Sequence, residues 1–380
     1  MLLFFSSVFN GISIGSVLLL AALGLAIVLG LMGVINLAHG ELMMLGAYTT
    51  YVVQNGFAWL GESWLEFYIF AALPAAFFVA ALMGLILERG VIRHLYGRPL
   101  ETLLATWGIS LILRQFVRSV SWNFAIAIGL FCLLFFGSQW LLRRYTQWEN
   151  IHKRAIGVLS VLAAGLAITA GVALQSQEFL AKPWFGAQNV DVTAPNWLRG
   201  GLPVGGFQLP YARLFIIGLT IVCVLGTYWF LNRSNWGLRI RAVTQNRSMS
   251  SCLGIPTAKV DALTFAMGSG LAGIAGCAIT LLGSVGPNVG VNYIVDTFMV
   301  VVVGGVGKIV GSVVAALLIG TANYLIGSGV MALVFSDWQA IVDFFNFFAT
   351  TSMAKVMVFA LIIAFLQIRP AGLFPQKGRS

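Results

Sequence analysis

Charge is scarce in this chain. Of 380 residues only 9% are charged, with 22 Lys and Arg against 12 Asp and Glu. A soluble domain carries roughly a quarter of its residues as charges to keep its surface hydrated, so a soluble globular fold is excluded. Histidine is rarer still, at three residues. The cysteines Cys132, Cys223, Cys252 and Cys277 are far apart, with neither metal-ligand nor redox spacing. No metal site is expected, and the thiols read as structural. No Ser-His-Asp, His-Glu-x-x-His or paired-carboxylate pattern is present, which argues against a membrane enzyme. The opening MLLFFSSVFNGISIG lacks the positive stretch of a cleavable signal and reads as mature sequence leading into a first span.

Hydrophobic residues make up 59% of the chain and the mean hydropathy is +0.93. A membrane helix needs about 20 mostly apolar residues. Candidate spans cover 11–33, 42–60, 67–88, 102–119, 124–142, 155–174, 211–232, 260–283, 294–306 with 309–330, and 354–368. The fold class is therefore an all-α polytopic membrane protein, one transmembrane domain over 1–380. The net charge of +10 suggests nucleic acid at first sight. Its cations, however, cluster between or after apolar runs, at Arg89–Arg98, Arg143–Arg154, Arg233–Lys259 and Arg369–Arg379, as short inside loops do. Placing these clusters in the cytoplasm puts the N-terminus outside and the C-terminus inside, and no nucleic-acid partner is expected.

Two outside segments have character. The stretch 184–210 is broken by prolines and glycines and reads as a compact extracytoplasmic loop. SDWQAIVDFFNFF, Ser336–Phe348, suits a helix lying in the interface plane. Two glycine patterns are decoys. GSGLAG at Gly268–Gly273 fits a dinucleotide fingerprint but sits in an apolar span with no preceding strand. Its small residues read instead as a close helix-packing face. GGVGK at Gly304–Lys308 has Val302 at the first-glycine position of a phosphate loop and Ile309 in place of its Ser or Thr.

Four polar elements remain. GVINLAHGELMMLGAY sets Asn36, His39, Gly40 and Glu41 between two apolar runs. If 34–41 dips into the membrane, these residues line a polar pocket. The alternative is an ordinary turn with Glu41 opening the next helix against its dipole. The fourth span repeats Thr102, Thr106, Ser110 and Arg114 at four-residue spacing, with Trp107 beside them, giving one polar face for packing or pathway lining. Gly304, Gly305 and Gly307 interrupt a span as transport-site helices are interrupted, or as a packing kink. Between Arg239 and Leu253 lies a segment of one short helix, with Gly254 at a left-handed cap and Pro256 beyond. Such a helix docks into a partner's groove, or is a solvated linker.

NLAHGELMMLGAY, GLRIRAVTQNRSMSSCLGI, GGVGKIVGS and RPAGLF together resemble the permease subunits of branched-chain amino-acid-type ABC importers. RHLYGRPLETLLATWGISLIL and FGAQNVDVTAPNWLRGGLPV resemble the urea-transporter branch of that family. The resemblance implies about eight family transmembrane helices, some broken or re-entrant. Residues 121–183, with two further apolar runs, are atypical of the family and form an insert. It implies a second homologous permease, two cytoplasmic ATPases that use the ATP, and an extracytoplasmic substrate-binding protein, in the bacterial inner membrane. This chain would bind no cofactor, and membrane lipid surrounds it.

Within that resemblance 233–259 is the coupling loop that docks on the ATPase, through Arg239, Arg241, Ala242, Gly254 and Ile255. Ser250 and Ser251 stand near where the family often carries alanine. Urea is neutral and donates and accepts hydrogen bonds, which Asn36, His39, Thr106 and Ser110 match, with Glu41 as a further acceptor. The expectation is ATP-driven urea import by alternating access. A branched-chain amino acid, whose ammonium Glu41 would take, is the alternative, and a passive urea channel the remote one.

Overall fold

The computed structural model describes residues 2–145, 159, 162–166, 169, 171–173, 182–204, 207–334 and 339–374. The basic residues Lys153 and Arg154, most of the span 155–174, Asp337, Trp338, Lys377 and Arg379 lie outside the described residues. The chain forms two compact units, Met1–Leu111 with Asn189–Ser380, and Ile112–Gln188. In chain order the helices are α1 (Leu2–Met32), α2 (His39–Leu60), α3 (Glu62–Leu65), α4 (Tyr68–Gly90), α5 (Pro99–Ser119), α6 (Trp122–Tyr145), α7 (Tyr211–Arg233), α8 (Asn235–Gln245), α9 (Arg247–Cys252), α10 (Thr257–Thr280), α11 (Val289–Gly304), α12 (Ile309–Gly327), α13 (Val330–Val334), α14 (Gln339–Phe348) and α15 (Thr351–Ile368).

The architecture is the expected all-α membrane fold. Six helices, among the described residues, are long and apolar enough to cross a bilayer, and α14 with α15, bent by 110°, makes a seventh if counted as one span. The sequence marks 42–60 as a span as well. Yet α2, at 22 residues, is not among those six. α2 packs against α4, α10 and α11, and its first half, with His39, Glu41 and Thr50, is buried among them. α1 occupies the centre of the first unit and is apolar on every side, because α7, α10, α11 and α12 surround it.

Membrane helices gain little hydrophobic energy from meeting each other, so close backbone contact must hold them. α10 supplies it with small residues. Gly268 faces Gly24 of α1, Gly273 faces Gly46 of α2 and Ala76 of α4, and Gly276 faces the Met43 carbonyl of α2. The stretch that imitates a nucleotide fingerprint is thus a packing face. α12 meets α1 the same way, through Gly320 against Gly15.

The segment after Gln188 covers one end of α4, α7 and α10. Tyr68 donates to the Thr193 carbonyl at 3.0 Å, Trp197 Nε1 donates to the Glu66 carbonyl at 2.9 Å, and Trp197 stacks on Phe70 at 5.7 Å. It ends in an antiparallel hairpin, β1 (Gly201–Val204) with β2 (Phe207–Pro210), which loop composition did not foretell. The Pro and Gly content that excludes a helix is also compatible with a short two-stranded hairpin. In the second unit Trp184 N donates to the Val120 carbonyl at 2.9 Å, and the Trp122 and Trp184 rings meet edge to face at 4.9 Å.

A Cβ at Gly276 would stand 2.9 Å from the Ala47 nitrogen, whereas one at Gly218 on α7 meets nothing within 4 Å. Gly276→Ala is expected to destabilise the detergent-solubilised chain by about 1–3 kcal/mol. Gly218→Ala should be neutral or slightly stabilising, both read from thermal unfolding midpoints.

Candidate functional site

The chain leaves the helix at Gly33, which has φ +68°, and re-enters it at His39. The turn between is not at the end of the bundle. His39 Nε2 lies 3.0 Å from the Ala21 carbonyl, eleven residues back from the end of α1. At 1.5 Å per residue, α2 starts about 16 Å down the flank of α1. Residues 33–38 therefore run back into the protein. Val34, Asn36, His39, Gly40 and Glu41 are all buried. The backbone breaks inside the bundle, which is the re-entrant alternative and not the terminal turn.

Most of the polar groups here have a partner. Asn36 Oδ1 accepts from Ala38 N at 3.1 Å, and Thr106 Oγ1 of α5 accepts from Leu37 N at 3.2 Å. These side chains replace the partners that the lost helix would have given its backbone. The Ala21 carbonyl accepts only, so His39 Nε2 carries the proton and Nδ1 is left as an acceptor. Ser110 Oγ donates to Glu41 Oε1 at 2.9 Å. Gly40 is required because a Cβ there would strike the backbone of Gly290. Asn36, His39, Gly40, Glu41, Thr106 and Ser110 thus form one buried seam. Trp107 does not join it; turned about 100° from Thr106 on α5, it is 55% exposed. Thr102 is buried at the start of the same helix, while Arg114 belongs to the second unit. Asn36 Nδ2 and His39 Nδ1 have no hydrogen-bond partner among the described residues.

At the second break, α11 ends at Gly304 and α12 begins at Ile309. Gly305 and Gly307 have φ +97° and +83°. The C-terminal turn fastens this bend: Leu373 N donates to the Val303 carbonyl at 2.8 Å, and Gly305 lies against the Phe374 backbone. Two separate sequence motifs, GGVGK and RPAGLF, are therefore one structural feature. Gly307 also rests on Gly30 of α1.

The basic segment is two helices, not the single one expected between Arg239 and Leu253. α8 stops at Gln245 because Asn246 turns extended (φ −152°), and its side chain accepts from Met249 N at 3.0 Å to cap α9. Gly254, at φ +80°, and the bond from Ile255 N to the Ser250 carbonyl end the second helix. Ile240 and Val243 anchor α8 in the core. Arg239, Arg241, Leu238, Met249 and Leu253 are exposed, and Ala242 is half-buried.

Several charged residues that the sequence reading did not single out as site residues knit this segment to the bundle. Arg93 Nη2 lies 3.2 Å from the buried Glu88 carboxylate, and Arg247 Nη2 lies 2.6 Å from Asp261 Oδ2. Arg247 also covers the Tyr96 ring, 4.7 Å from its centroid. Burial, with Asp261 and Glu88 close by, pushes the Tyr96 phenol far above its ordinary value, so it stays a neutral donor. On the other side Lys355 of α15 pairs with the buried Asp296 of α11 at 2.7 Å. The available signal was an isolated acid in or at the edge of an apolar run, which rarely lacks a partner.

An all-α bundle with a buried, broken backbone and a basic helix pair at one end defines a polytopic membrane protein of the permease kind. The description "Branched-chain amino acid transport system / permease component" matches residues 7–366, and the chain belongs to that family. It is 27% identical over 380 residues to the high-affinity branched-chain amino acid transport system permease protein LivH of Escherichia coli K12, covering 98% of this chain and 96% of that one. It is 25% identical over 366 residues to BraD of Pseudomonas aeruginosa, described in the same words, covering 96% and 93%. The ribose import permease protein RbsC of Bacillus subtilis is 30% identical over 131 residues, 31% of this chain and 40% of that one. No solved structure gives a significant match. These relatives are not urea permeases by name, so the expectation of the urea branch finds no support in them, and the branched-chain amino acid alternative does.

Ser110→Ala would remove a donor from the buried Glu41 carboxylate. The expected loss is about 1–3 kcal/mol of stability, measured by denaturant titration in detergent. Trp107→Ala, on the exposed side of α5, should leave that midpoint unchanged.

Proposed function

We propose that this chain is the membrane permease of an ATP-driven bacterial importer of branched-chain amino acids, working by alternating access. Its support in structure is the α8–α9 pair, basic and apolar on its exposed side, anchored by Ile240 and Val243 and tied to the bundle through Asp261. Such a pair suits docking on an ATPase, which moves it when ATP binds. Arg239, Arg241, Ala242, Gly254 and Ile255 belong to that coupling element. The partners are a second homologous permease, two cytoplasmic ATPases and an extracytoplasmic binding protein. The basic end is cytoplasmic, which puts the hairpin of 201–210 and the N-terminus outside. This chain itself carries no cofactor or metal.

The seam supplies substrate contacts when the helices rock apart: Asn36 Nδ2 as a donor, His39 Nδ1 as an acceptor, and Glu41 facing the substrate ammonium. Gly304, Gly305 and Gly307 give the bend about which α11 and α12 shift. Urea is the second reading, favoured by the neutral donors and acceptors that flank Glu41 and by the segments 93–113 and 185–204.

Uptake of labelled leucine and labelled urea in a strain lacking this chain, then complemented, separates the two. Restored leucine uptake is expected; restored urea uptake alone transfers the assignment to the second reading. Arg241→Glu should abolish uptake at unchanged membrane level, and retained transport would refute the docking role. Asn36→Ala and Thr106→Val should each lower uptake about fivefold or more, since removing a paired polar contact costs about 1–3 kcal/mol and 1.4 kcal/mol is tenfold. Flux without ATP in vesicles would mark a passive channel.

A further inference from the structure

Outside the seam, a groove of about 720 Å³ runs along the first unit between α4, α7 and α10. Its walls are apolar, with Phe77 and Leu85 from α4, Phe230 from α7, and Leu263 and Ala266 from α10. At one end the lining changes. Arg89, Lys259 and Trp236 close it there, and Arg239 lies over the Trp236 ring, 5.0 Å from its centroid. The Arg89 and Lys259 side chains are exposed and make no ion pair or hydrogen bond among the described residues. Their neighbours Arg93 and Arg247 are, by contrast, committed to Glu88 and Asp261.

The dimensions select an occupant. From Phe77 to Arg89 the groove follows twelve residues of α4, about 18 Å of helix. One leaflet of a bilayer has a hydrocarbon depth of about 15 Å. We propose that the groove binds a phospholipid with an anionic headgroup, its acyl chain along Phe77, Leu85 and Ala266 and its phosphate between Arg89 and Lys259. Trp236 then lies at the headgroup level, where indoles are enriched. Charge complementarity argues against a protein occupant. An apolar helix would cover the walls but give the two cations no counter-charge, whereas a phosphate supplies it. The headgroup sits at the root of α8, since Gly237 packs on the Phe230 and Leu231 carbonyls. Bound lipid therefore braces the junction from which the α8–α9 pair projects. Binding itself does not depend on the transport reading.

Native mass spectrometry on the full chain, purified in detergent with its co-assembling subunits, tests this with phosphatidylglycerol and phosphatidylcholine at equal mole fraction. The wild type should retain phosphatidylglycerol preferentially. Arg89→Gln with Lys259→Gln should lower that retention about thirtyfold, roughly fivefold for each cation, and leave phosphatidylcholine unaffected. Ala266→Trp fills the groove without touching the charges and should lower retention of both lipids. Equal retention of the two lipids by the wild type overturns the proposal and needs no variant. So does unchanged phosphatidylglycerol binding in the double substitution. Displacement by millimolar inorganic phosphate would reduce the site to a headgroup pocket without a lipid and overturn it as stated. A cross-link from Leu263→Cys to another subunit would give the groove to a protein helix.

Discussion

A backbone that leaves the helix inside a membrane bundle must find new partners for its amides, because no water is there to take them. Each unsatisfied group costs several kcal/mol. Residues 33–38 set that condition here, and the arrangement around them answers it. Asn36 turns back on Ala38, and Thr106 reaches across from α5 to Leu37. His39 then fixes the start of α2 to the middle of α1. The same contacts hold α5 to the bundle, because the outward side of that helix, with Leu104 and Trp107, is exposed. A pathway and a structural support are not rival readings of these residues. The side chains that make the break tolerable are the ones the proposed pathway uses.

Close approach is the second condition, and glycine meets it. For His39 to reach Ala21, α1, α2 and α10 must pass with their backbones in contact, at Gly24 and Gly268, Gly46 and Gly273, and Gly276 and Met43. Larger residues would hold the helices apart and leave the seam as a cleft. Gly40 against Gly290 extends the same contact to α11. The polar seam is therefore narrow because the helices around it cross at points that carry no side chain. That accounts for the glycines at these crossings, each of which would cost about 1 kcal/mol in a solvated helix.

The spans were legible in the sequence because a bilayer imposes one length and one polarity on lipid-facing helices. The break at Gly304–Gly307 and the cap at Gly254 were legible because positive φ is marked by glycine. The depth of the first break was not. Nothing local distinguishes a turn at the surface from one that runs back along α1; the contact of His39 with Ala21 decides it. The division of the basic segment at Asn246 was missed because the pattern of apolar residues continues across it, while a single side-chain cap interrupts the backbone. Ion pairs such as Glu88 with Arg93 span only five residues, yet Arg247 with Tyr96 joins segments far apart, and only the fold makes them neighbours. The likeness to the urea branch rests on a pattern of residues alone, and the relatives by name do not extend it.

α10 touches both ends of the functional problem. Its first turn carries Asp261, held by Arg247 of α9, and its middle carries the glycines that press on α1 and α2 beside the break. A helix in backbone contact with its neighbours cannot shift by a fraction of a side chain; it moves with them or changes its packing in steps. Under the proposed mechanism, a displacement of α9 would pass into α10 through a short ion pair at one end and emerge where Gly268 meets Gly24, a turn from His39's contact on Ala21. In the proposed importer, coupling between an ATPase and the seam therefore needs no long chain of side chains. One rigid helix, gripped by charge at its end and by glycine contacts along its length, spans the distance, and the groove that receives a lipid opens on its outer side at Lys259 and Ala266.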